Sequence, residues 1–204
     1  MSEHTETKPA GATGPTGSRR VERRLAPQVG AVILADISSS METQDQMGRD
    51  GFGMGERRID RLARVLDYIL TRYRVQRLIC FHDLPIEIEL VGKIALPEPA
   101  GSTNLTLALE HVRSIVPVPD RLILISDGIP NSPETALAVA RLLRPMIIDA
   151  YYVGPDRDYG GGAFMNQLAA CGGPGGRSGH FDMADPLLLG REVEERLLLS
   201  ARKP

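Results

Sequence analysis

Apolar and polar positions along the chain follow two different periods, and the switches between them divide it into strands and helices. Residues 31–35 are continuously apolar, the mark of a strand buried on both faces. Residues 58–73 then carry Ile59, Leu62, Val65, Leu66, Ile69, Leu70 and Tyr73 on one helical stripe. A second apolar strand over 75–81 leads through the turn 82–85 into 86–90, whose strict alternation marks a half-exposed strand. The pair predicts a hairpin, and with it one antiparallel edge strand. Residues 105–115 read as a helix with Leu105, Leu107, Ala108, Val112 and Ile115 inward, capped by the hydroxyl residues at its start. A buried strand over 121–125 precedes a helix running to Leu143, with Pro133 in its first turn. A strand over 146–153 comes next, then a helix over 163–171 stopped by Gly172 and Gly173. A short edge strand over 179–183 and a last helix over 186–199 complete the pattern. That helix has Leu187, Leu188, Val193, Leu197 and Leu198 as apolar positions.

Strands alternating with helices at short spacing predict an α/β fold, doubly wound, with a mainly parallel sheet, one antiparallel edge strand and helices on both faces. Crossovers between parallel strands are right-handed, so every such strand points its C-terminal end to one edge. Ligands of open α/β sheets bind there. Asp36 ends the first strand and Asp127 follows another, so the two carboxylates emerge on the same rim. Ser38 and Ser40 come two and four residues after Asp36 and offer further oxygen donors in one tight loop. Hard oxygen donors suit Mg²⁺ or Mn²⁺ rather than zinc. Without a cation, two converging carboxylates would repel each other at a cost of several kcal/mol.

At 204 residues, 42% hydrophobic and 25% charged, the chain has the size and composition of one soluble domain. The expected division is a flexible tail over 1–25 and a single domain over 26–204 with an inserted loop at about 42–56. A net charge of −2 gives no drive toward nucleic acid or anionic membrane. With 4% aromatics and no Trp, a base-stacking surface is not expected. The basic cluster Arg19, Arg20, Arg23 and Arg24 reads as a solvated face. No stretch approaches a membrane span, and residues 1–18 lack the apolar segment of a secretory signal, so a cytoplasmic location is expected. Cys80 and Cys171 read as buried small residues rather than a disulfide framework. His82 and His180 lack Cys or His partners at metal-ligand spacing, and His111 reads as an exposed residue on a helix next to Glu110. The glycine runs 160–162 and 172–176 lack the strand-to-helix setting of a phosphate loop.

A third segment, 100–105, places Thr103 beside a glycine that permits a tight turn before a helix. Taken together, Asp36-x-Ser38-x-Ser40, Thr103 and Asp127-Gly128 resemble the metal ion-dependent adhesion site (MIDAS) of the von Willebrand factor A (VWA) family. The order of elements from about 29 to 199 is also similar to that family's, hairpin included. The resemblance implies that Ser38 and Ser40 coordinate a divalent cation directly. Thr103 would do so directly or through a water, and Asp36 and Asp127 mostly through waters or hydrogen bonds to the serines. It further implies a non-catalytic protein-binding module whose Mg²⁺ or Mn²⁺ is completed by an Asp or Glu of a partner protein. Intracellular bacterial members of the family often work beside AAA-type ATPases, which makes such an ATPase or a related complex a plausible partner. Two departures stand out. Ser39 occupies a position where the family most often has glycine. The 42–56 loop is rich in Gly and Met, and reads either as an adaptable contact surface or as an inert insertion.

Two other functions compete. A strand-end aspartate with Mg²⁺ also resembles haloacid dehalogenase-type phosphatases, with Asp36 as nucleophile. Those enzymes need a second aspartate where this chain has Ser38. A metal-independent scaffold subunit of an ATPase complex is the third.

Overall fold

The computed structural model describes residues 27–44, 55–91, 94–154, 160–181 and 185–201. The expected tail and residues 45–54 of the inserted loop, Asp45 and Asp50 among them, lie outside the described residues. Within these, one six-stranded sheet forms from β1 (Ala31–Asp36), β2 (Arg77–Phe81), β3 (Pro85–Ile88), β4 (Arg121–Ser126), β5 (Ile147–Val153) and β6 (Ser178–Phe181). Its order is β3-β2-β1-β4-β5-β6. β3 pairs antiparallel with β2, and every other neighbouring pair is parallel. The helices are α1 (Arg58–Arg72), α2 (Leu105–Arg113), α3 (Pro133–Arg141), α4 (Gly161–Cys171) and α5 (Pro186–Ala201). None of them is long and apolar enough to cross a membrane.

All six residues of β1 are buried, as a central parallel strand covered on both faces requires. Its side chains divide by parity. Ala31, Ile33 and Ala35 join a core with Leu62, Leu66 and Ile69 of α1 and Leu189, Val193 and Leu197 of α5. Val32 and Leu34 join the opposite core with α2, α3 and α4, through residues such as Ala108, Ala136 and Leu168. β1 sits mid-sheet with its C-terminal end beside that of β4, which brings Asp36 and Asp127 together.

Three details differ from the expected pattern. Leu107 is 42% exposed, whereas Leu109 is fully buried. The inward face of α2 is Leu105, Ala108, Leu109 and Val112, spaced i, i+3, i+4, i+7, and Leu107 lies off that stripe. Leu187, Leu188 and Leu198 of α5 are likewise exposed, and Leu189, Val193 and Leu197 carry its packing. The cap of α2 is Asn104, whose side-chain oxygen accepts from the Leu107 N–H at 3.4 Å, and not a hydroxyl.

α5 is tied to the sheet by a buried ionic network. Asp149 of β5 is fully buried and accepts from Arg121, from the Arg177 backbone N–H at 2.9 Å and from Arg196 Nε at 3.1 Å. Arg121 Nε donates to Ser200 Oγ at 2.8 Å, and Arg196 reaches the Gly175 carbonyl. The two arginines, each 4% exposed, bring strand β4 and helix α5 onto one carboxylate.

Candidate metal centre

Three loops meet at the C-terminal rim of β1 and β4. The first leaves β1 at Asp36 and turns through Ser38 into a 3₁₀ turn, Ser39–Glu42, anchored by the fully buried Met41. Asp36 does not project into solvent: it is fully buried, and its carboxylate holds the loop that follows. Oδ1 accepts the Ser38 backbone N–H at 2.7 Å and Oδ2 accepts Ser126 Oγ at 2.5 Å. These bonds close a local Asx-type turn and bridge β1 to the end of β4.

Ser38 Oγ lies 3.0 Å from Ser40 Oγ, and Ser40 Oγ donates to Asp127 Oδ1 at 2.6 Å. The Ser40 proton goes to Asp127, so the Ser38 hydroxyl donates to Ser40 Oγ, and the two serines form one hydrogen-bonded chain that ends on a carboxylate. Ser38 is 2% exposed and Ser40 faces solvent. Burial is the main force on Asp36 and pushes its carboxyl up to about 6 from the usual 3.8. The nearby Asp127 adds to the rise, and the Ser126 and Ser38 hydrogen bonds oppose it.

The second loop carries Thr103. Ser39 Oγ and the Ser39 N–H both donate to the Gly101 carbonyl, at 2.8 and 3.3 Å, and the Ala100 N–H donates to Ile37 O at 3.0 Å. On its other side the Asn131 N–H donates to Thr103 O at 3.0 Å, joining this loop to the one after β4. Thr103 is therefore stitched between the serine loop and the Asp127 loop. It is half-buried, and no hydrogen bond to its hydroxyl forms among the described residues. Gly101 takes φ +64°, and an added Cβ would stand 2.2 Å from Asp83 Oδ2, so glycine is required there.

Four of the five expected site residues, Asp36, Ser38, Ser40 and Asp127, are linked by direct hydrogen bonds, and Thr103 borders them through its backbone. The position of Ser39 also has a physical account: its hydroxyl turns away from the serine pair to tie the two loops. Sequence patterns did not reveal Ser126, which holds Asp36, or Arg58. The Arg58 guanidinium donates to Asp127 Oδ2 at 2.6 Å, with its side chain 8% exposed. Asp83 was also unforeseen. It accepts from the Ser102 N–H at 3.0 Å and from Ser102 Oγ at 2.5 Å, and these bonds hold its carboxyl below the ordinary value. Asn131 Nδ2 donates to Ser102 Oγ at 2.7 Å, so this cluster braces the Thr103 loop from outside.

Among the described residues no three His, Cys, Asp or Glu side chains converge as a metal-binding group. The convergent donors among them are the Ser38 and Ser40 hydroxyls. The 3.0 Å between Ser38 Oγ and Ser40 Oγ equals the spacing of adjacent ligands in an octahedron with bonds of about 2.1 Å. The donor set fits a hard divalent cation.

No protein-family model and no characterised protein matches the chain in sequence. Solved structures do match it in shape. Proximal thread matrix protein 1 from the mussel byssus superposes with a TM-score of 0.58 at 18% identity, over 86% of this chain and 47% of that one. A further structure of that mussel protein, described as having a zinc-occupied MIDAS motif, gives 0.57. The manganese-loaded TRAP protein of Plasmodium vivax gives 0.51 at 18% identity, over 80% of this chain and 71% of that one. The PilB minor pilin of Streptococcus sanguinis gives 0.56 at 14% identity, over 88% and 64%. The chain spans under half the length of the mussel protein. At these identities the likeness concerns the fold alone: a doubly wound, mainly parallel sheet of the VWA and Rossmann-like kind.

Proposed function

We propose that this rim is a MIDAS-type centre that holds Mg²⁺ or Mn²⁺ and grips an acidic side chain of a partner protein. One observation carries the reading. Two serine hydroxyls lie 3.0 Å apart in a chain that ends on the buried Asp127, with the buried Asp36 holding the Ser38 N–H, next to a loop that presents Thr103. Ser38, Ser40 and Thr103 would hold the cation, while Asp36 and Asp127 orient the serine hydroxyls and supply charge from behind. A cation held by neutral oxygens stays electron-poor and supplies Lewis acidity toward an incoming carboxylate. Two of the similar folds are described with zinc or manganese bound, which supports a divalent ion at this place.

A binding role fits better than catalysis by Asp36. A nucleophile must reach its electrophile, and Asp36 is fully buried with hydrogen bonds to both oxygens. A cytoplasmic setting and an ATPase-linked partner belong to the same reading. Calorimetric titration with Mg²⁺ and Mn²⁺ provides the test. Wild type is expected to bind one ion, and the Ser38→Ala/Ser40→Ala double variant none. A wild type that takes up neither ion would overturn the proposal.

A further inference from the structure

Arg58 is the feature of the rim that the MIDAS reading does not use. It stands at the first position of α1, where the helix dipole favours an acidic residue over a basic one. Its guanidinium is nonetheless buried there, 2.6 Å from Asp127 Oδ2. Asp127 accepts on both oxygens: Oδ1 receives the proton of Ser40, and Oδ2 the N–H of Arg58. The position is fixed by the backbone, since the Arg58 N–H donates to Thr43 O at 3.1 Å, directly after the turn that bears Ser40. Moving Arg58 would disturb the serine turn.

We infer that Arg58 is a built-in countercharge that weakens the hold of the rim on its cation and strengthens the hold of the loaded rim on a carboxylate. The inference rests on the metal-binding reading above. The placement of its charge carries it. Arg58 donates to the same carboxylate that takes the Ser40 proton, so one positive charge lies beside the cation position. Replacing it by a neutral side chain makes the rim one unit more negative, empty or loaded, so the cation would bind more tightly and an incoming acid less tightly. In a buried setting these charges are poorly screened and act at full range. Arg58 thereby makes the centre reluctant to stay loaded unless an acidic partner completes it.

The test titrates Mn²⁺ alone into wild type, Arg58→Gln and Arg58→Lys, then acetate into each Mn²⁺-loaded protein. Arg58→Gln is expected to bind Mn²⁺ about tenfold more tightly than wild type or better, and acetate several-fold more weakly. Arg58→Lys keeps the charge and should stay close to wild type. A merely structural Arg58 predicts the opposite sign, because loosening the serine turn would weaken Mn²⁺ binding; equal or weaker binding by a folded Arg58→Gln overturns the inference. If Arg58→Gln melts too early to titrate, excess Mn²⁺ decides: it must raise the variant's Tm more than that of wild type. Mn²⁺ uptake by Arg58→Gln but not by wild type would uphold the countercharge and overturn the adhesion reading. Uptake by neither overturns both.

Discussion

Asp149→Ala is expected to lower folding stability by about 3–5 kcal/mol, a third or more of what a domain of this size commonly has. The reason is what it leaves behind. Arg121 and Arg196 are each 4% exposed, and both donate to Asp149. Removing the shared carboxylate strands two guanidiniums in the core between β5 and α5, where they cannot be rehydrated without undocking the helix. Arg57 is the contrast: it also makes two ion pairs, with Asp60 and with Glu98, whose side chain is 79% exposed. Arg57→Ala should cost far less, because water screens those pairs. Urea unfolding followed by circular dichroism compares the two. A cost for Asp149→Ala no larger than that for Arg57→Ala would show that apolar packing alone docks α5.

Asp36→Asn is expected to raise stability and abolish cation binding together. In chelator, the buried Asp36 carboxyl titrates near 6 rather than 3.8, so the folded state holds its proton more tightly than the unfolded chain. A raised carboxyl destabilises as it ionises: stability falls as pH climbs from about 3.8 to about 6, by on the order of 3 kcal/mol, and the loss persists above that window. Asparagine carries no such penalty. Its oxygen still accepts the Ser38 N–H, and its amide can donate to Ser126 Oγ. The Tm of Asp36→Asn in chelator should therefore match that of wild type near pH 4 and exceed it at pH 7. Adding Mn²⁺ should reverse the ranking, since only wild type keeps the charge that supports the cation. A Tm difference that stays constant across pH would refute the assignment of this penalty to Asp36.

Strand and helix order was legible because each element has a clean period. β1 is apolar from Ala31 to Ala35, β3 alternates, and α1 carries one stripe from Ile59 to Leu70. Topology then followed from the handedness of crossovers, and with it the meeting of Asp36 and Asp127. What stayed hidden depends on distance in three dimensions. Arg58 lies 69 residues from Asp127 and reads in the sequence as one more polar helix residue. Asp149 sits within an apolar strand, a buried acid whose partners come from β4 and α5. Leu107 and Leu187 were misplaced because a leucine next to a helical stripe looks like part of it. Ser39 could not be assigned from its type, since only the approach of the Gly101 carbonyl explains the hydroxyl.

The reading turns on whether this rim binds a cation that then accepts a carboxylate. Water-proton relaxation by bound Mn²⁺ reports both steps in one sample, because a carboxylate that reaches the ion displaces a coordinated water. The expected result is one Mn²⁺ per chain, with relaxivity that falls on adding acetate and is unmoved by acetamide. No stoichiometric Mn²⁺ binding, or relaxivity indifferent to acetate, would contradict it.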